Sequence, residues 1–149
     1  MLKFTKLLAV VAWLALIFTA SQMPLPAPEP SYQPTYFDYV FDKDMHALLF
    51  GVLAFLVCAL LIEWKLPRSP RWSSGRTTPE ALATAREAGW RIFYIAVLFC
   101  FAYGITDEYH QGYVPGRDVS FYDLLFDVIG GIFGTAMYFL FSKKIHKRS

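Results

Sequence analysis

Charge is what this chain has least of. Only 17% of its 149 residues are Asp, Glu, Lys or Arg, where a water-soluble domain carries about 25%. The deficit argues against an ordinary soluble globule and points to stretches whose solvent is lipid. Cysteine is nearly absent as well. Cys58 and Cys100 are the only two. Both lie deep inside apolar runs, which excludes a secreted-type disulfide framework and makes them packing residues. No established catalytic signature is present, and no spacing matches a dedicated metal motif.

Apolar residues, by contrast, make up 56% of the chain and aromatics 18%. A helix needs about 20 mostly apolar residues to cross the hydrocarbon of a bilayer. Four stretches qualify, at 7–23, 45–62, 90–107 and 121–141. The third has a short apolar centre and reaches full length through Trp90 and Asp107. Lipid offers no partners to free backbone groups, so helices are the expected form. The fold class is all-α: one four-helix transmembrane bundle forming a single domain over 1–149. The first run, led by Lys3 and Lys6, also fits a signal peptide. Cleavage after Ala20 would however put Phe18 where a small residue is wanted, so the span is expected to be retained. Four short spans without a broken helix fit a transporter poorly.

The few charges are distributed unevenly. Of 14 Lys and Arg, all but Lys43 and Arg117 fall in the amino end, the segment between the second and third runs, and the tail. Basic segments stay in the cytoplasm. Both termini and the middle loop are therefore expected inside, in a multi-pass protein of the bacterial cytoplasmic membrane. Glu29, Asp38, Asp42, Asp44, Asp107, Glu108 and Asp118 fall on the other side. Residues 24–36 include five prolines and should form an extended external strap. The basic loop begins Lys65-Leu-Pro-Arg and suits anionic lipid headgroups rather than nucleic acid. Thr78-Pro79-Glu80 looks like a helix start that runs on into the third span.

Ionisable residues cluster at the outer ends of three spans. In Asp42-Lys43-Asp44-Met45-His46, Asp42 and His46 share a helical face. In Asp107-Glu108-Tyr109-His110-Gln111, Asp107, His110 and Gln111 share one. Two carboxylates at a helix carboxyl end oppose the helix dipole, so a positive partner is expected: Lys43, Arg117, a cation or a protonated His. After the Pro115-Gly116 turn and Arg117-Asp118, a stripe runs through Asp123, Asp127, Gly130 and Gly134. An Asp at the depth of Asp127 costs about 2.5–3.5 kcal/mol on insertion scales and must face the bundle interior or water. Gly130 and Gly134 form a small-xxx-small pattern that admits a second helix, from this chain or from another copy in a homo-oligomer.

Taken together, Asp42-Lys43-xx-His46, Asp107-Glu108-xx-Gln111, Val114-Pro115-Gly116-Arg117 and Asp123-xxx-Asp127-xx-Gly130 resemble the VanZ-like family. The Ser21-Gln22 step and the proline-rich strap do so as well. The resemblance covers nearly the whole chain. It implies a membrane protein of the cell envelope, in a family named for a member that gives low-level resistance to the glycopeptide antibiotic teicoplanin. It implies no particular reaction. The family usually has Asn where this chain has Asp127, so an extra negative charge is present here.

Alternating helix directions would gather these clusters at one outer-leaflet site for an anionic or lipid-linked ligand. Lys43, Asp107, Gln111, Arg117, Asp123 and Asp127 are the candidate ligand contacts, and Glu108 and His46 the candidate acid–base groups. Asp42, His46, Asp107 and Glu108 are candidate ligands for a divalent cation such as Mg²⁺, Ca²⁺ or Mn²⁺. The alternative is a non-catalytic scaffold or partner-binding module, in which paired charges, for example Lys43 with Asp107, lock the helices in register.

Overall fold

The computed structural model describes residues 2–23, 35–65 and 79–146. Within them the chain forms four helices: α1 (Leu2–Ser21), α2 (Tyr36–Lys65), α3 (Pro79–Gln111) and α4 (Phe121–His146). Each contains a stretch long and apolar enough to cross a membrane. The strap at 24–34 and the basic loop at 66–78 lie outside the described residues.

The helices outrun the apolar stretches that announce them. α2 begins at Tyr36, well before the apolar run at 45, so the whole Asp42–His46 cluster is helical. α3 begins at Pro79, with proline at the first helical position, and runs unbroken to Gln111. α1 begins at Leu2 rather than 7 and includes both lysines. Lys6 reaches Glu63 at 2.8 Å and the carbonyl of Ala59 at 3.2 Å, so a cation near the membrane edge has a fixed partner on α2.

α2 is central and packs most closely against α4. The sequence explains why. A methyl group built on Gly130 would collide with the backbone of Ala47, and one on Gly134 with the backbone of Gly51. These glycines serve an intrachain contact in which two helix backbones touch. The remaining core is apolar: Phe50, Leu53, Ala54 and Cys58 of α2 meet Ile92, Ala96 and Cys100 of α3, and α1 adds Val10 and Ile17. Cys58 and Cys100 are buried and unpaired to each other.

α1 is held largely by side chains donating to carbonyls. Trp13 Nε1 donates to Leu49 O at 2.9 Å, and Tyr103 Oη donates to Leu14 O at 2.9 Å. Outward surfaces are apolar, with Leu48, Leu98, Phe133 and Leu140 more than half exposed. Inward surfaces at one end are charged. That inversion of a soluble protein is what a hydrocarbon solvent selects.

Candidate functional site

The amino end of α2, the carboxyl end of α3 and the amino end of α4 converge at one end of the bundle, where the carboxyl end of α1 joins them. The first contact is a cross-helix ion pair. Lys43 on α2 is buried and donates to Asp123 on α4 and, at 2.9 Å, to Asp42. One helical turn deeper, His46 Nδ1 lies 3.0 Å from Asp127 Oδ1. Asp127 is fully buried. Gly104 makes room for it: a methyl group at 104 would stand 2.7 Å from Asp127 Oδ2.

The start of α4 follows a familiar sequence rule with one change. Ser120 is the N-cap, accepting from Asp123 N–H through its carbonyl at 3.1 Å and its hydroxyl at 3.4 Å. In a capping box the acid three residues later returns to the cap's own N–H. Here Asp123 goes to Lys43 instead, and Glu108 of α3 accepts the Ser120 N–H at 2.7 Å. One carboxylate oxygen of Glu108 is thereby used. The other, Oε1, is buried without a partner, as is Asp127 Oδ2.

Asp107 points to the other side of α3. It accepts from Ser21 Oγ at 2.6 Å and from Gln111 Nε2 at 2.9 Å. The pairing of Lys43 with Asp107 offered as an example of a helix lock therefore does not occur; Lys43 meets Asp123. His110, expected on the face of Asp107 and Gln111, packs against Phe18 and approaches Gln22 at 3.4 Å.

Arg117 also departs from expectation as a counter-charge for Asp107 and Glu108. Val114–Arg117 is a tight turn, closed by Arg117 N–H on Val114 O at 3.1 Å, with Pro115 followed by Gly116 at φ 81°. That is the residue pattern of a type II turn, which needs glycine at its third position. The turn carries the guanidinium back to α1, where it donates to Ala20 O at 3.3 Å and Met23 O at 3.4 Å. A cation on the last carbonyls of a helix is favoured by the helix dipole.

Two cavities flank the polar cluster. One, of about 350 Å³, lies among α1, α2 and α3; Asp42, His46, Asp107, Gln111 and Arg117 form its polar wall, and Ile17, Phe41, Met45, Leu49 and Phe50 its apolar one. The other, of about 610 Å³, lies between α3 and α4, is mostly apolar, and is reached by Glu108.

The structure thus draws Asp42, Lys43, His46, Asp107, Glu108, Gln111, Arg117, Asp123 and Asp127 to one end. Three further residues contribute that are not among the candidates read from sequence. Ser21 stands there only in the Ser21-Gln22 step, though a serine closing an apolar run is itself a signal. Ser120 was legible through the Ser-x-x-Asp pattern before the fourth run. Gly104 gave no signal, because its role is the space it leaves for Asp127.

Four apolar helices with ionisable residues turned inward at one end define a multi-pass membrane bundle with a buried polar site. Sequence comparison is more specific: the family model VanZ/LLP1 matches residues 6–142, and the chain belongs to that family. No curated protein and no solved structure matches it significantly.

Proposed function

We propose that this protein lies in the bacterial cytoplasmic membrane with its termini and basic loop in the cytoplasm, and that it holds an anionic, lipid-linked ligand of the cell envelope at the outer leaflet. The cavity among α1, α2 and α3 carries the reading. Its walls are divided into an apolar and a polar side, as an amphipathic molecule requires. Within it the carboxylates already have partners: Asp42 has Lys43, and Asp107 has Ser21 and Gln111. Among the described residues Arg117 donates to neutral carbonyls and pairs with no acid. A guanidinium in that condition suits a phosphate or carboxylate. Gln111 adds an amide, and the apolar wall takes the chain. Of the two candidate acid–base groups, His46 lines this cavity and is the one placed to move a proton if chemistry follows binding, while Glu108 lines the cavity between α3 and α4.

Binding of a polyprenyl phosphate to the purified protein in nanodiscs tests this. The expected result is saturable thermal stabilisation, weakened at least tenfold in apparent affinity by Arg117→Ala and less by Arg117→Lys. Equal affinity in all three proteins overturns it. A parallel test in cells compares teicoplanin susceptibility with and without the Arg117→Ala and Glu108→Ala proteins, membrane insertion being verified; an unchanged phenotype removes the link to resistance.

A second reading, a non-catalytic scaffold, is favoured by the two cross-helix pairs, Lys43–Asp123 and His46–Asp127. Under it, Lys43→Asp combined with Asp123→Lys restores function that either change alone removes. A binding site that uses these groups directly does not tolerate the exchange.

A further inference from the structure

Deep in the bundle, beneath the Lys43–Asp123 pair, three side chains from three helices turn toward one point. His46 comes from α2, Glu108 from α3 and Asp127 from α4. All three are buried, and one donor atom from each lies within 4.8 Å of the others. Donors bound to one zinc-like ion at about 2.0–2.2 Å in tetrahedral geometry stand about 3.3–3.6 Å apart. From the 4.8 Å limit the group needs at most about 1.5 Å of closure, within the reach of side-chain rotation. Two carboxylate oxygens there, Glu108 Oε1 and Asp127 Oδ2, are buried without a hydrogen-bond partner. Native proteins rarely leave such atoms unsatisfied, and an orphaned acceptor of this kind calls for an explanation such as an ion.

We propose that His46, Glu108 and Asp127 form a binding site for one divalent first-row transition cation, Zn²⁺ or Mn²⁺. The donor set selects the class. An imidazole disfavours Mg²⁺ and Ca²⁺, which prefer oxygen alone, while the two carboxylates suit a borderline-hard ion over Cu(I). Charge balance selects the location. His46 also belongs to a second cluster, with Asp42 and Asp123, but Lys43 already neutralises those two acids. At Glu108 and Asp127, the described ion pairs extend only to His46. The supporting contacts are in place as well: Ser120 N–H fixes the other oxygen of Glu108, and Gly104 leaves the space Asp127 occupies. Three protein donors leave a further coordination position for water or a ligand oxygen. The site uses no atom of Arg117, so it stands or falls separately from the lipid-linked ligand.

The test uses the full-length protein in nanodiscs, stripped with chelator and then titrated separately with Zn²⁺, Mn²⁺, Mg²⁺ and Ca²⁺. Bound metal is counted by elemental analysis, and Mn²⁺ is also followed by electron paramagnetic resonance. One equivalent of Zn²⁺ or Mn²⁺ per chain, with a raised melting temperature, is expected. Glu108→Gln and Asp127→Asn should each lower the affinity at least a hundredfold. His110→Ala and Asp42→Asn should retain the wild-type stoichiometry. Asp127→Asn and Glu108→Gln are near-isosteric and are checked for helicity and monodispersity first; if one misfolds, the other carries the test. The proposal is overturned by any of three outcomes: no stoichiometric metal, metal retained by both carboxamide variants, or loss in Asp42→Asn with retention in Asp127→Asn.

Discussion

Single residues at this site act through the space or the hydrogen that they supply. Gly104 supplies space: a methyl group there meets Asp127 Oδ2 at 2.7 Å and Leu124 Cδ1 at 2.9 Å. Gly104→Ala should displace Asp127 and cost about 1–3 kcal/mol, as overpacking does. Ser120 supplies two groups with different destinations. Its hydroxyl caps α4, while its N–H serves Glu108. Ser120→Ala keeps the N–H and should cost only about 0.5–1 kcal/mol. Ser120→Pro removes the N–H, leaves Glu108 unpaired on both oxygens, and should cost clearly more. Reversible unfolding in mixed micelles measures all three, and equal losses for the two Ser120 variants would deny the Glu108 contact any weight. The sequence made the cap visible and hid its rearrangement. Ser120 and Asp123 stand at capping-box spacing, but the partner that draws Asp123 away is Lys43, far off in the chain and adjacent only after folding.

At the scale of elements, glycine position decides how closely helices approach. Four helical glycines form a graded series. A methyl group on Gly89 meets only Phe139, at 3.9 Å; on Gly131 it meets Cys100 at 3.1 Å; on Gly130 and Gly134 it runs into the backbone of α2. Gly89→Ala should be neutral or stabilising by up to about 1 kcal/mol, since alanine is the better helix former. Gly131→Ala should cost an intermediate amount, because Cys100 Cβ at 3.1 Å is fixed to its backbone and α3 must give by a few tenths of an ångström. Gly134→Ala should cost about 3 kcal/mol or more, because the backbone it meets cannot yield. Melting temperatures of the series in one detergent give the ranking; a tolerated Gly134→Ala would mean that α2 and α4 are less closely apposed. The Gly-xxx-Gly pattern was legible from sequence, and its partner was not. Span boundaries show the same division. Apolarity located all four helices, but it placed the start of α2 at 45. Hydropathy stops at the first charges, whereas the helix runs on through them, whether the charge turns inward as Lys43 does or outward as Asp44 does.

For the molecule as a whole, apolar residues face outward, and the interior is apolar except at one end, where acids are buried. The distribution of Lys and Arg gives the orientation its prediction. Against a background with Cys58 and Cys100 replaced by alanine, Asp118→Cys in intact cells should react with a membrane-impermeant maleimide. Ser73→Cys should react only after permeabilisation. The reverse pattern would put the polar end in the cytoplasm and deny it to outer-leaflet ligands. The four spans and the gathering of clusters at one end followed from run lengths and alternating direction. The destination of each charge did not. Arg117 illustrates this: a lone arginine after a Pro-Gly turn gives no sign that its targets are carbonyls at and just beyond the end of α1.

That contact gives the smallest loop of the bundle a mechanical part. The turn between α3 and α4 is tied to the carbonyl of Ala20 in α1 and to that of Met23 just beyond it, and α1 forms one wall of the cavity that Arg117 also lines. Those two bonds use Nε and Nη2 and leave Nη1 unused among the described residues, so an anion bound as proposed would meet a cation that is already aimed and has little side-chain freedom left to lose.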